Sequence, residues 1–151
     1  MKRTYIIAFL LSFCSMMSYA QDSFFDKFSE MDGVTSVYIS KAMLSMMPSM
    51  KTKGVNIGEV ARKLESIQIL SCEKPALIAT IKKELEYINP KNGYEELMRI
   101  NDTGDKTTIY LKTNKNDKKE FVLLTSGKNE LTVIVIVGNL SLKEIQGIVN
   151  K

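Results

Sequence analysis

The sequence predicts one α+β domain: an antiparallel meander of about four to five strands, with N-terminal helices and a C-terminal helix packed on it. Three observations carry that expectation. Helix-period apolar patterns dominate as far as Pro90, four strand-type runs separated by turn chemistry follow, and a last capped helical pattern closes the chain. No repeat, low-complexity tract or Pro/Gly-rich linker interrupts residues 21–151, so they read as a single domain.

The first element is helical over Ser23 to Met31. Ser23 and Asp26 have capping-box spacing, Phe24, Phe25, Phe28 and Met31 fall on one face, and Gly33 ends it. Val34 to Met47 starts β-branched, through Ile39, and finishes helix-favouring, from Lys41. A short strand running into a helix is expected, stopped by Pro48. Asn56 and Glu59 open another helix bearing Ile57, Val60, Ala61 and Leu64. Ser66 to Leu70 reads as a strand. Pro75 suits a first helical turn, and Leu77, Ile78, Ile81, Leu85 and Ile88 keep the helical period to Asn89-Pro90.

Then the pattern changes. Tyr94–Ile100, Thr107–Thr113, Glu120–Thr125 and Leu131–Val137 are strand-like, and the residues between them are turn formers: Asn101 to Asp105, Asn114 to Asp117, Ser126 to Asn129. Connections this short favour a meander. Ser141 and Glu144 cap the last helix, which carries Leu142, Ile145, Ile148 and Val149.

Residues 1–20 have the form of a signal peptide. Lys2 and Arg3 precede the apolar stretch Tyr5 to Met17, and Ser18 and Ala20 put small residues where a signal peptidase reads, so cleavage is expected between Ala20 and Gln21. The expected location is the periplasm or the exterior, with no stable transmembrane span after cleavage. Bulky Phe13 before Cys14 argues against an outer-membrane lipoprotein. Two of the 21 basic residues belong to this leader, leaving 19 against 17 acidic ones, a balance that gives little reason to expect a nucleic-acid partner.

The chain contains no histidine. Ser-His-Asp and Cys-His catalysis and the commonest zinc ligand are thereby excluded. No Gly-rich phosphate loop joins a strand to a helix, so neither cofactor nor metal is expected, and no catalytic residues are assigned. Cys72, at a strand-to-helix junction, is a possible reactive thiol whose ordinary role would be packing. Met43, Met46 and Met47, with Met50, keep helical spacing and suit flexible apolar packing better than copper. Glu95, Glu96, Asp102 and Asp105 are expected at a solvated turn. Lys112, Lys115, Lys118 and Lys119, interleaved with Asp117 and Glu120, are expected at a soluble hairpin tip.

The most informative pattern lies in the last two strands. Leu131, Val133, Val135 and Val137 alternate with Thr132, Ile134 and Ile136, and Phe121 and Leu123 alternate with Val122 and Leu124, so both strands are apolar on both sides. An antiparallel sheet with one wet face alternates apolar with polar instead. A helix of the same chain, another subunit or an apolar ligand is expected to cover the second face. Met43, Met46, Met47, Val122, Leu124, Ile134 and Ile136 are the candidate apolar binding or packing residues.

Phe25 to Met31 leading into Gly33 to Met43 resembles the opening of the domain of unknown function 4252 family. Ile67 to Ser71, Tyr94 to Met98 and Phe121 to Leu124 are similar to later parts of it. The resemblance implies a small exported protein of Bacteroidetes-type bacteria and brings no catalytic motif. The leading functional expectation is a non-enzymatic envelope protein that binds a protein partner or self-associates. A carrier of a small apolar ligand or lipid is the alternative, and a carboxylate or Ser-Lys hydrolase comes third.

Overall fold

The computed structural model describes residues 20–47, 51–52, 55–141 and 143–144. The predicted leader before Ala20, Met50, and the predicted C-terminal helix beyond Glu144 lie outside the described residues.

Helix α1 (Ala20–Ser29) leads through a turn at Gly33 into strand β1 (Val34–Ser40). Helix α2 (Lys41–Ser45) follows without a loop, its start capped by Ser40, whose hydroxyl accepts from the Met43 N–H at 3.4 Å. A minimal hairpin of β2 (Lys51–Thr52) and β3 (Val55–Asn56) precedes helix α3 (Ile57–Lys63). Strand β4 (Leu64–Cys72) then starts at the residue after α3. Helix α4 (Pro75–Glu84) has its proline in the first turn and continues as 3₁₀ over Leu85–Tyr87. The meander is β5 (Glu95–Asp102), β6 (Asp105–Thr113), β7 (Lys119–Ser126) and β8 (Leu131–Gly138). Its first turn has only two central residues, Thr103 and Gly104. Both hold positive φ, the twist a tight hairpin requires.

The sheet has six strands in the order β1-β4-β8-β7-β6-β5, every neighbouring pair antiparallel. The expectation of four to five strands is thereby corrected. β4 is nine residues long and inserts between β1 and β8, so the two early strands join the meander in one sheet.

Helices lie on both faces of the sheet. Phe24, Phe25 and Phe28 of α1 and Ile78 and Ile81 of α4 share a core with Leu70, Cys72, Val122, Leu131, Val133 and Val135. On the reverse face, Leu44 of α2 and Val60 and Ala61 of α3 pack with Phe121, Leu123, Ile136 and Leu140. This arrangement accounts for the strands that are apolar on both sides: the chain's own helices take up both surfaces. Towards its other end the reverse face turns polar. Ser71 and Thr132 hydroxyls meet at 3.3 Å there, and Thr107 and Thr125 at 3.0 Å.

After β8, Ser141 and Glu144 form a reciprocal capping box. The Ser141 N–H donates to Glu144 Oε2 at 2.9 Å, and the Glu144 N–H donates to Ser141 Oγ at 3.4 Å. Lys63 at the end of α3 donates to Glu144 Oε1 at 2.6 Å. The Lys63 hydrogen bond, followed by that from the Ser141 backbone, pulls the Glu144 carboxyl down from 4.5 to about 2. A depressed carboxyl stabilises the fold fully above its ordinary value and loses that contribution as pH falls through the folded one. Glu144→Gln is therefore expected to cost about 1 kcal/mol at neutral pH, since the lysine is half exposed and solvent screens the pair. Urea titrations at several pH values should show the gap to wild type closing between pH 4.5 and pH 2.

Candidate interaction edge

The six-stranded sheet has two edges, and they are built differently. The β5 edge carries Glu95, Glu96, Arg99 and Asp102, with a bulge between Glu96 and Met98 and an ion pair of 2.5 Å between Arg99 and Glu96. Charges and bulges are the usual means of keeping a strand edge from pairing with another chain. β1, at the other edge, is Val-Thr-Ser-Val-Tyr-Ile-Ser, with no acidic or basic residue, no proline and an unbroken register against β4. No strand pairs with its outer side among the described residues.

Val37 and Tyr38, in the middle of β1, are 42% and 64% exposed. Five large apolar side chains are exposed among the described residues, and four of them (Val37, Tyr38, Met43 and Met46) lie within ten residues of chain. A shallow cleft of about 470 Å³ runs between α1 and this edge, lined by Phe25, Asp26, Ser29, Ser36, Tyr38 and Gln68. Ion pairs fix the two ends of the strand: Asp32 with Lys74 before it, and Lys41 with Glu65 at 3.7 Å after it. The hydrogen bond from Lys74 holds the Asp32 carboxyl below its usual range.

A family model described as Domain of unknown function (DUF4252) matches residues 27–148. The chain belongs to this family. No curated protein and no solved structure matches it. The match begins within α1 and takes in every strand of the sheet, so the asymmetric pair of edges is part of this DUF4252 domain.

Within the DUF4252 domain, the predicted apolar residues do not form one surface. Val122 is fully buried and Leu124 half-buried on the face of α1 and α4, whereas Ile136 is buried and Ile134 half-buried on the reverse face. Met47 packs half-buried against the reverse-face core, while Met43 and Met46 stand in solvent. Cys72 is completely buried in the core, its thiol 3.7 Å from the Lys74 carbonyl oxygen. Glu95, Glu96, Asp102 and Asp105 are exposed. Among the described residues no three Asp, Glu, Cys or His side chains gather in a metal-holding group.

One polar group lies elsewhere than the sequence predicts. Glu120 was expected at a solvated hairpin tip, yet it is 4% exposed. It opposes Val137 and Lys112 in the sheet, and the Tyr94 phenol donates to its Oε1 at 2.8 Å. Lys112 Nζ lies 4.8 Å from the Tyr94 ring centroid, and the Tyr87 ring meets Tyr94 edge-on at 6.0 Å. Burial first, and then the charge of Glu120, push Tyr87 up to about 12 and Tyr94 further in the same direction. None of these side chains lines the cleft beside β1, and their arrangement is that of a buried polar clasp. Its signal in the sequence was an acid two residues from Val122 and four from Leu124, the parity of a core face.

Proposed function

We propose that this DUF4252 protein is a non-enzymatic envelope protein that binds another polypeptide, or itself, by strand addition at β1. The observation that carries the reading is the contrast between the edges: β5 is charged and bulged, while β1 is neutral, regular and apolar at its centre. Strand addition satisfies the free N–H and C=O groups of an edge, and side-chain pockets beside it supply selectivity. The α1–β1 cleft provides such a pocket.

Export with cleavage after Ala20 belongs to the same proposal. It is supported by α1, whose core-forming Phe24, Phe25 and Phe28 all follow that bond and would stay with the mature chain. The reading as an apolar-ligand carrier draws less support, because the space between α1, α4 and the sheet is filled by aromatic and aliphatic side chains.

The test is photo-crosslinking in intact cells from a reactive side chain placed at Val37, with the same probe at Asn101 on the opposite edge as control. A discrete protein adduct from position 37 and none from 101 is expected. Equal labelling from both edges, or none from 37, would remove the reading.

A further inference from the structure

We infer that the β1 edge is closed by a second copy of this chain, β1 against β1, antiparallel about a twofold axis at Val37. The inference rests on the strand-addition reading and names its partner.

Self-pairing of an antiparallel strand is isologous, so each residue must tolerate its own image across the axis. With the axis at Val37, Val37 faces Val37, Tyr38 faces Ser36 and Ile39 faces Thr35. Like charges directly opposite one another destabilise a strand pair. Residues 34–40 carry no acidic or basic side chain, so no like charges meet along the seam.

The flanks are complementary. Asp32, paired with Lys74 but with its side chain almost wholly in solvent, precedes the strand, and Lys41, paired with Glu65 at 3.7 Å and still 68% exposed, follows it. Antiparallel pairing about Val37 brings Lys41 of each copy opposite Gly33 of the other, beside Asp32. Both ends of the seam then join unlike charges. A parallel arrangement would set Asp32 against Asp32 and Lys41 against Lys41.

The cleft supplies the third element of fit. Tyr38 shares a sheet face with Ser36, Gln68 and α1. Tyr38 of the second copy, seated opposite Ser36, enters the cleft against Phe25, with Asp26 and Ser29 in reach of its hydroxyl. Two exposed tyrosines are covered by one symmetric operation, and the two sheets join into one of twice the width.

The experiment uses protein expressed from the full-length sequence and purified as the cell processes it. Directly opposed residues in an antiparallel pair have Cα atoms about 4.5–5.5 Å apart, inside the range a disulfide spans. Val37→Cys is therefore expected to give a covalent dimer under mild oxidation. Thr35→Cys, displaced from its own image by four residues or roughly 14 Å, is expected to give none. Buried Cys72 supplies no competing thiol at the surface.

In sedimentation equilibrium the unmodified protein is expected to dimerise. Val37→Lys, which opposes two ammonium groups across the axis, should weaken association about tenfold or more, and Val37→Thr should retain it. Unchanged far-ultraviolet circular dichroism shows that each variant folds. Equal crosslinking by Val37→Cys and Thr35→Cys would overturn the axis, and a monomer at all concentrations would overturn the second copy. If the monomer still gives a heterologous adduct from position 37 in cells, strand addition stands and only the identity of its partner falls. Loss of both signals removes the two together.

Discussion

Gly138→Ala is expected to destabilise the protein by about 3 kcal/mol or more. A Cβ at position 138 would stand 2.6 Å from the Lys63 carbonyl oxygen and 2.8 Å from the Leu64 Cα. Both are backbone atoms at the junction where α3 passes directly into β4, beside the irregularity in register between Leu64 and Ser66. Forcing extra volume into a packed interior typically costs about 1–3 kcal/mol when side chains can yield, and here the obstruction is main chain. Gly138 also opposes both Leu64 and Lys119, so any retreat disturbs two strand pairs at once. Gly127→Ala is the matched control. Its Cβ would approach Asp105 Oδ1 at 2.6 Å, but that carboxylate ends an exposed side chain and can swing aside. Urea unfolding midpoints of the two variants should differ clearly, and similar midpoints would contradict the steric account.

Tyr94→Phe is expected to cost about 2–3 kcal/mol, because it removes the phenol that donates to buried Glu120 and leaves a carboxylate short of a partner. Glu120→Gln should cost less, since its side-chain carbonyl still accepts from Tyr94. The double variant Tyr94→Phe with Glu120→Leu should regain most of the loss, as replacing both partners by apolar groups avoids the unpaired charge. Strictly additive losses in a denaturant double-mutant cycle would mean the pair is not coupled. The same clasp sets an alkaline limit. The fold favours neutral Tyr87, so the stability tied to that phenol is present below its ordinary value of 10 and is lost as pH rises through about 12.

The meander was legible because its information is local. Asp102-Thr103-Gly104-Asp105 needs no distant contact to form a tight turn, and the observed strands depart from their sequence-based bounds by no more than two residues. β4 was harder to read. Ile57, Val60, Ala61 and Leu64 keep a helical period, but the helix stops at Lys63 and Leu64 opens the strand, with no turn residue marking the change. Glu120 departs from its expected place because Lys118 and Lys119 precede it in sequence, while its neighbours in space are set by parity with Val122 and by Tyr94, twenty-six residues away. The candidate edge was the least legible part. A charge-free run from Val34 to Ser40 is visible in the sequence, but whether such a strand lies at the centre or the margin depends on the full order β1-β4-β8-β7-β6-β5. The exposure of Met43 and Met46 likewise depends on which side of α2 the sheet occupies, and their spacing alone did not reveal it.

The position of β8 has a consequence for how the molecule is made. It is the last of the described strands along the chain, yet it is the keystone: β4 flanks it on one side and β7 on the other. Without Leu131 to Gly138, the pair β1 and β4 and the set β5, β6 and β7 have no described strand to bridge them. Joining Leu70 to Val133 closes about 60 residues of intervening chain, a non-local pairing of the kind that slows folding. A nascent chain cut short before Leu131 would leave both groups adhesive and unfinished, prime substrates for chaperones and proteases.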